Sequence, residues 1–320
     1  MTKTERVMAA IGKQPVDYVP SCFSLHFPSG ASKGEAGIRA HLDFFKQADT
    51  DILKIMNENQ VPYCGSFSVP EDYSKVGKVS MDCDYMRNQL DFSKRILDAC
   101  GSEAFTIGTL HGICASAIHP VQKAGYGYEA ARKYQLAALR SGDPAVLDAF
   151  RRITDGMCEL AQSYIEAGVQ GIYYAALGAE TCYFTDEEFA RWIEPFDKQI
   201  LKAIKDAGGY SFLHICKDGL NMDRYATYGD YCDVVNWGVY EVPYSLEAGR
   251  KLFPGKTIMG GLENRSGVLV NGTETEIRAE VHEVIKSFGD GGFILGADCT
   301  LATEQDMKKL QAAVLACRSC

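Results

Sequence analysis

No apolar run in the 320-residue chain approaches the ~20 residues that a bilayer span requires. No long apolar stretch follows the charges of Met1–Ala10 either, so a secretory leader is not expected and a cytoplasmic setting is. A basic surplus is also missing: Lys and Arg number 33 against 42 Asp and Glu, a net charge of −9 spread along the chain. A duplex nucleic-acid binder needs a basic face to displace counterions, so that class is disfavoured. Nor do low-complexity tracts, charge blocks or Pro/Ser-rich linkers divide the sequence, and residues 1–320 are expected to form one domain. Cysteine, by contrast, is plentiful, with 12 residues. In a chain without an export signal these are expected to be mostly free thiols, many of them small buried hydrophobes. Cys317 and Cys320 lie in a tail that is expected to fray, and nothing is assigned to them.

What recurs is an alternation of short β-rich apolar runs, polar or glycine-rich breaks and helical patterns. The expected strands are 19–23, 51–55, 104–110, 171–176, 210–213, 233–237, 257–260 and 292–295. Helical periodicity covers 4–11, 34–47, 88–99, 126–167, 185–207, 275–288 and 303–316. The long fourth pattern should break at Ser141–Pro144, where Asp143 caps and Pro144 suits a first helical turn. Thr185-Asp-Glu-Glu188 is a capping-box signature, and Gly208-Gly209 a stop. Strands alternating with helices imply a parallel sheet with right-handed crossovers. Eight units predict a single (β/α)8 TIM-type barrel with an extra N-terminal helix. An open doubly wound sheet would place a glycine-rich phosphate loop after its first strand, and Ser21–Gly30 has none.

A barrel active site forms at the C-terminal ends of the strands. The residues there include His26, Asn57, Glu58, His111, Cys114, His119, Glu180, Cys182, His214, Cys216, Asn236, Glu263, Asp298 and Cys299. His214-Ile-Cys216 stands out, because residues two apart on extended backbone point to the same side. Cys299 takes the equivalent place after strand eight, so one imidazole and two thiolates could meet on a soft-ligand-tolerant cation, zinc first among them. Three protein ligands would leave a fourth position open, as in a catalytic zinc site. Packing is the competing account of any one cysteine, and Cys22, Cys114, Cys182 and Cys232 could form a different trio. Glu58, His111 and Glu263 are candidate catalytic groups, with exposed loop carboxylates and a hydrogen-bonded core histidine as the plainer alternatives. His41 and His282 fall in helical patterns and are expected on the surface. The pairs Tyr173-Tyr174 and Trp237-Gly238 could form an aromatic wall or simply pack in the core.

Several stretches resemble the uroporphyrinogen decarboxylase superfamily in order along nearly the whole chain. They are Glu5–Ala10, Gln14–Pro20, Tyr164–Gly168, Glu188-Phe189 with Glu194-Pro195-Phe196, Leu213–Cys216, Gly260–Asn264 and Gly296–Thr300 followed by Thr303-Glu304. The resemblance implies a TIM-type barrel and admits two branches. The decarboxylase branch recognises a polycarboxylate through an arginine-bearing motif after the first strand, and Ser21–Gly30 contains no arginine. The other branch comprises zinc-dependent, corrinoid-linked methyltransferases. For it the resemblance implies zinc on His214, Cys216 and Cys299, and methyl transfer between a small methylated donor or thiol acceptor and cobalt. The chain has no Asp-x-His-x-x-Gly motif of a corrinoid carrier, so the corrinoid is expected on a separate partner protein.

Overall fold

The computed structural model describes residues 1–61, 70–289 and 291–319. Its eight parallel strands are β1 (Ser21–Cys22), β2 (Ile52–Ile55), β3 (Phe105–His111), β4 (Gly171–Ala176), β5 (Tyr210–Ile215), β6 (Val234–Trp237), β7 (Thr257–Leu262) and β8 (Phe293–Ala297). They hydrogen-bond in the order β1-β8-β7-β6-β5-β4-β3-β2, a nearly closed (β/α)8 TIM-type barrel. The helix Lys3–Ile11, capped by Thr2, packs its Val7 and Ala10 into the barrel interior with Ile52, Phe105, Phe212 and Ile294. Side-chain direction alternates along each strand. In β5, Phe212 faces inward while Leu213 and Ile215 join the outer core beneath the helices. His214 therefore shares the inner face.

Between β1 and β2 the barrel is joined mainly by one carboxylate. Asp51 donates its backbone N–H to the Ser21 carbonyl at 3.1 Å. Its side chain accepts from the Ser21 N–H at 2.9 Å and from the Ser21 hydroxyl at 3.0 Å. The Arg6 guanidinium, on the N-terminal helix, reaches Asp51 at 2.6 Å and Asp17 at 2.6 Å. All of this is buried except Asp17, so the charges are answered by each other rather than by water.

Several expected boundaries move. The break at Ser141–Pro144 stands, separating helices Tyr128–Ser141 and Pro144–Glu166, with the Asp143 side chain accepting from the Ala145 N–H at 2.9 Å. The 185–207 pattern is two helices, Asp186–Trp192 and Glu194–Asp206, because Pro195 restarts the chain after Ile193. Helices Ile113–Lys123 and Leu246–Leu252 were not expected. The first of them carries Cys114 and His119, which the sequence reading placed after the third strand without a helix. Cys317 is buried in the closing helix Met307–Cys317 instead of fraying. His41 is also buried: its Nε2 accepts the Met56 N–H at 3.0 Å and its Nδ1 lies 2.7 Å from the Gly37 carbonyl. No helix among the described residues is long and apolar enough to cross a membrane.

The β1–β2 seam gives a stability prediction. Asp51→Ala leaves one buried guanidinium nitrogen of Arg6 and two Ser21 donors without an acceptor, while Asp17 still holds the rest of the guanidinium, and is expected to cost about 3 kcal/mol in urea unfolding. Lys3→Ala removes a pair to the half-exposed Asp49 and a contact of the ammonium with the Phe45 ring, and is expected to cost about 1 kcal/mol.

Candidate metal centre

The register β4–β5–β6 sets Ala175, His214 and Asn236 side by side across three strands. Asn236 is buried, and its amide nitrogen donates to the Met259 carbonyl at 2.9 Å and the Ala297 carbonyl at 3.1 Å. Backbone carbonyls only accept, so the amide cannot be turned around. Its oxygen must face the other way, where it meets His214 Nδ1 at 2.6 Å and the Tyr173 hydroxyl at 3.2 Å. His214 Nδ1 is thus the protonated nitrogen, and Nε2 presents a lone pair. The Tyr173 ring stacks on the imidazole at 5.1 Å and holds its plane.

Nε2 points at sulfur. It lies 3.3 Å from Cys299 Sγ, and Cys299 Sγ lies 4.0 Å from Cys216 Sγ. All three donor atoms fall within 4.8 Å of one another. A tetrahedral ion with bonds of about 2.0–2.3 Å would separate such donors by roughly 3.5–3.8 Å, so the cluster fits one ion. The contact with Cys216 lowers the Cys299 thiol well below the usual range and raises Cys216, and the Lys54 charge adds to the Cys299 shift. Two sulfurs beside a fixed imidazole lone pair are the donors a soft divalent cation takes.

The other candidates surround the cluster without joining it. His111, at the end of β3, lines a cavity of about 180 Å³ together with Ala115, Ile118, Tyr128, Leu177 and Cys216. Burial pulls His111 down to about 4, so its imidazole is neutral at pH 7. His119 meets the His111 ring edge-on at 5.0 Å and accepts from the Val61 N–H at 3.4 Å, which makes it a satisfied core residue. Glu58 pairs with His26 at 3.1 Å on the far side of the mouth. Glu263 accepts a hydrogen bond from the Ser266 hydroxyl. Asp298 is buried and holds the loop after β6 by accepting the Tyr240 N–H at 2.9 Å. Of the alternative cysteines, Cys22 packs inside the barrel, Cys114 meets the buried Arg132, Cys182 is exposed and Cys232 precedes β6.

The sequence reading missed three neighbours of the cluster. Lys54 is a lysine on the inner face of β2, and its ammonium lies 3.4 Å above the Tyr173 ring. Burial pulls it down to about 8, against the charges of Cys299, Cys22, Cys216 and Glu58. A cation inside Ile52-Leu-Lys-Ile55 was the available signal. Glu241, in the loop after β6, is pushed up by burial and then by the Cys299 charge; no motif marks it. Lys217, directly after Cys216, holds a left-handed φ of 87°, a strained turn for a residue with a Cβ.

Fold and cluster together define a class: a (β/α)8 barrel with a histidine–dicysteine candidate metal centre in its mouth. The family model "Uroporphyrinogen decarboxylase (URO-D)" matches residues 54–320, and the chain belongs to that family. Among solved structures, a methyltransferase from Methanosarcina mazei is similar at a TM-score of 0.75 and 17% identity, covering 100% of this chain and 98% of that one. A B12-independent methionine synthase from Shewanella sp. W3-18-1 is similar at 0.60 and 13% identity, covering 94% and 97%. No curated protein gives a significant match.

The amide that sets the imidazole is testable without knowing the reaction. Asn236→Leu is expected to weaken metal binding about 10–100-fold, measured by competition against a chromogenic chelator. An unchanged affinity would show that His214 does not depend on it.

Proposed function

We propose that this protein is a zinc-dependent methyltransferase that moves a methyl group between a small methylated donor or thiol acceptor and a corrinoid protein. One observation carries the reading: an imidazole with its Nε2 lone pair fixed toward two sulfurs, one directly after β5 and one in the turn after β8, beside a cavity at the barrel mouth. His214, Cys216 and Cys299 are the ligands in this reading, and Asn236 and Tyr173 orient the first of them. Zinc bound there supplies Lewis acidity, which lowers the pKa of a coordinated thiol or polarises the heteroatom of a methylated donor. The chain's own contribution is to place the substrate. Ala115, Ile118 and Leu177 exclude water from the cavity, and neutral His111 offers a hydrogen bond near the sulfurs. Glu58 and Glu263 stand at the rim as proton-handling groups. The corrinoid comes on a partner protein that covers the mouth, in a cytoplasmic setting.

The names of the two structural neighbours, a methyltransferase and a B12-independent methionine synthase, support methyl transfer, though the second says nothing for a corrinoid. The decarboxylase alternative finds less support: Ser21–Gly30 has no arginine, and the buried Arg132 is committed to Glu180 at 3.0 Å.

Purified protein is expected to carry one zinc per chain and to transfer methyl groups only when a corrinoid protein is supplied. Cys299→Ala is expected to lose the zinc and drop transfer to background. Full activity in the zinc-free variant would dismiss the trio, equal turnover without the corrinoid protein would remove the partner, and carbon dioxide release from a polycarboxylate would favour the alternative.

A further inference from the structure

Lys54 is only 5% exposed, deep inside the barrel two residues along the inner face of β2 from Ile52. Its ammonium has three N–H donors to place. The Thr300 hydroxyl lies at 3.5 Å, the limit of a hydrogen bond, and the Tyr173 ring offers its face at 3.4 Å. Such partners do not repay the loss of water around a full charge, so a buried ammonium needs an anion. Both contacts lead to the donor cluster. Thr300 follows Cys299 in the chain, and the Tyr173 ring is the one stacked on His214.

Among the described residues no carboxylate pairs with Lys54, whose one side-chain hydrogen bond is the long one to Thr300. A divalent ion in the cluster does not supply the missing anion: two thiolates and a neutral imidazole cancel its charge and leave nothing over for the lysine. A neutral fourth ligand then leaves one buried positive charge, whereas an anionic one brings the whole group to zero. We propose that Lys54 is the charge-matching residue of this centre, and that its buried ammonium makes the fourth position take an anion in preference to a neutral molecule. This rests on the metal reading above and extends it from which ion is held to what kind of ligand that ion accepts. Lys54 touches neither the ion nor its ligands, and acts as a positioning residue through the field it sets.

The test uses cobalt(II)-substituted protein titrated with azide as the anionic probe and imidazole as the neutral one, both followed by the visible cobalt bands. The sulfur-to-cobalt bands report that the trio is intact. Wild-type protein is expected to bind azide more tightly than imidazole. Lys54→Met and Lys54→Gln are expected to weaken azide by about tenfold or more while leaving imidazole unchanged, and Lys54→Arg to keep the wild-type order. A wild-type cobalt protein that favours imidazole overturns the proposal, as do neutral variants that keep wild-type azide affinity. The wild-type comparison decides the matter even where a neutral variant fails to fold. Protein that takes up no cobalt overturns the metal reading itself, and this assignment with it.

Discussion

An amide whose two ends are both committed governs the centre of this barrel. The nitrogen of Asn236 is held by carbonyls of Met259 and Ala297, on β7 and β8. Strand register alone therefore decides that its oxygen faces His214. The tautomer of the imidazole follows from that contact, and the direction of the Nε2 lone pair follows from the tautomer. No flexible loop enters this chain of causes. A site fixed by ladder geometry keeps its aim through loop motion, which is why rigid strands are the better support for ligands.

Around that axis the interior is unusually polar for a small barrel. Lys54, Tyr173, His214 and Asn236 occupy inner faces of four different strands, above an apolar floor of Ile52, Phe105, Phe212 and Ile294. The floor is sealed by the N-terminal helix, and Arg6 on that helix also anchors Asp51 at the seam. One element thus closes the bottom of the barrel and fastens its weakest joint, leaving only the mouth open to solvent and substrate.

Much of this was legible in the sequence, for identifiable reasons. Buried parallel strands are short apolar runs, so all eight were visible, though their ends drifted, as where Gly261 and Leu262 continue β7 beyond the expected 257–260. The histidine–cysteine pair could be read because period two places residues 214 and 216 on one side, and Cys299 because every strand end meets at the mouth. The helix Ile113–Lys123 was lost because its residues 113–121 are buried on every side and it follows an apolar strand, so no amphipathic period marks its start. The burial of His41 was hidden for a related reason: its helix packs Ile38, His41 and Phe45 inward, and the histidine serves there as an acceptor for Met56. Glu241 gave no sign at all, since only the folded path of its loop brings it toward Cys299.

The closeness of Cys216 and Cys299 has a second consequence. Two sulfurs 4.0 Å apart need a modest approach and one two-electron oxidant to become a disulfide. An ion bound there, as proposed, would occupy both electron pairs and protect them, so an empty centre would be the vulnerable form. Oxidative stress and metal starvation would then act on such a centre together, each deepening the damage done by the other.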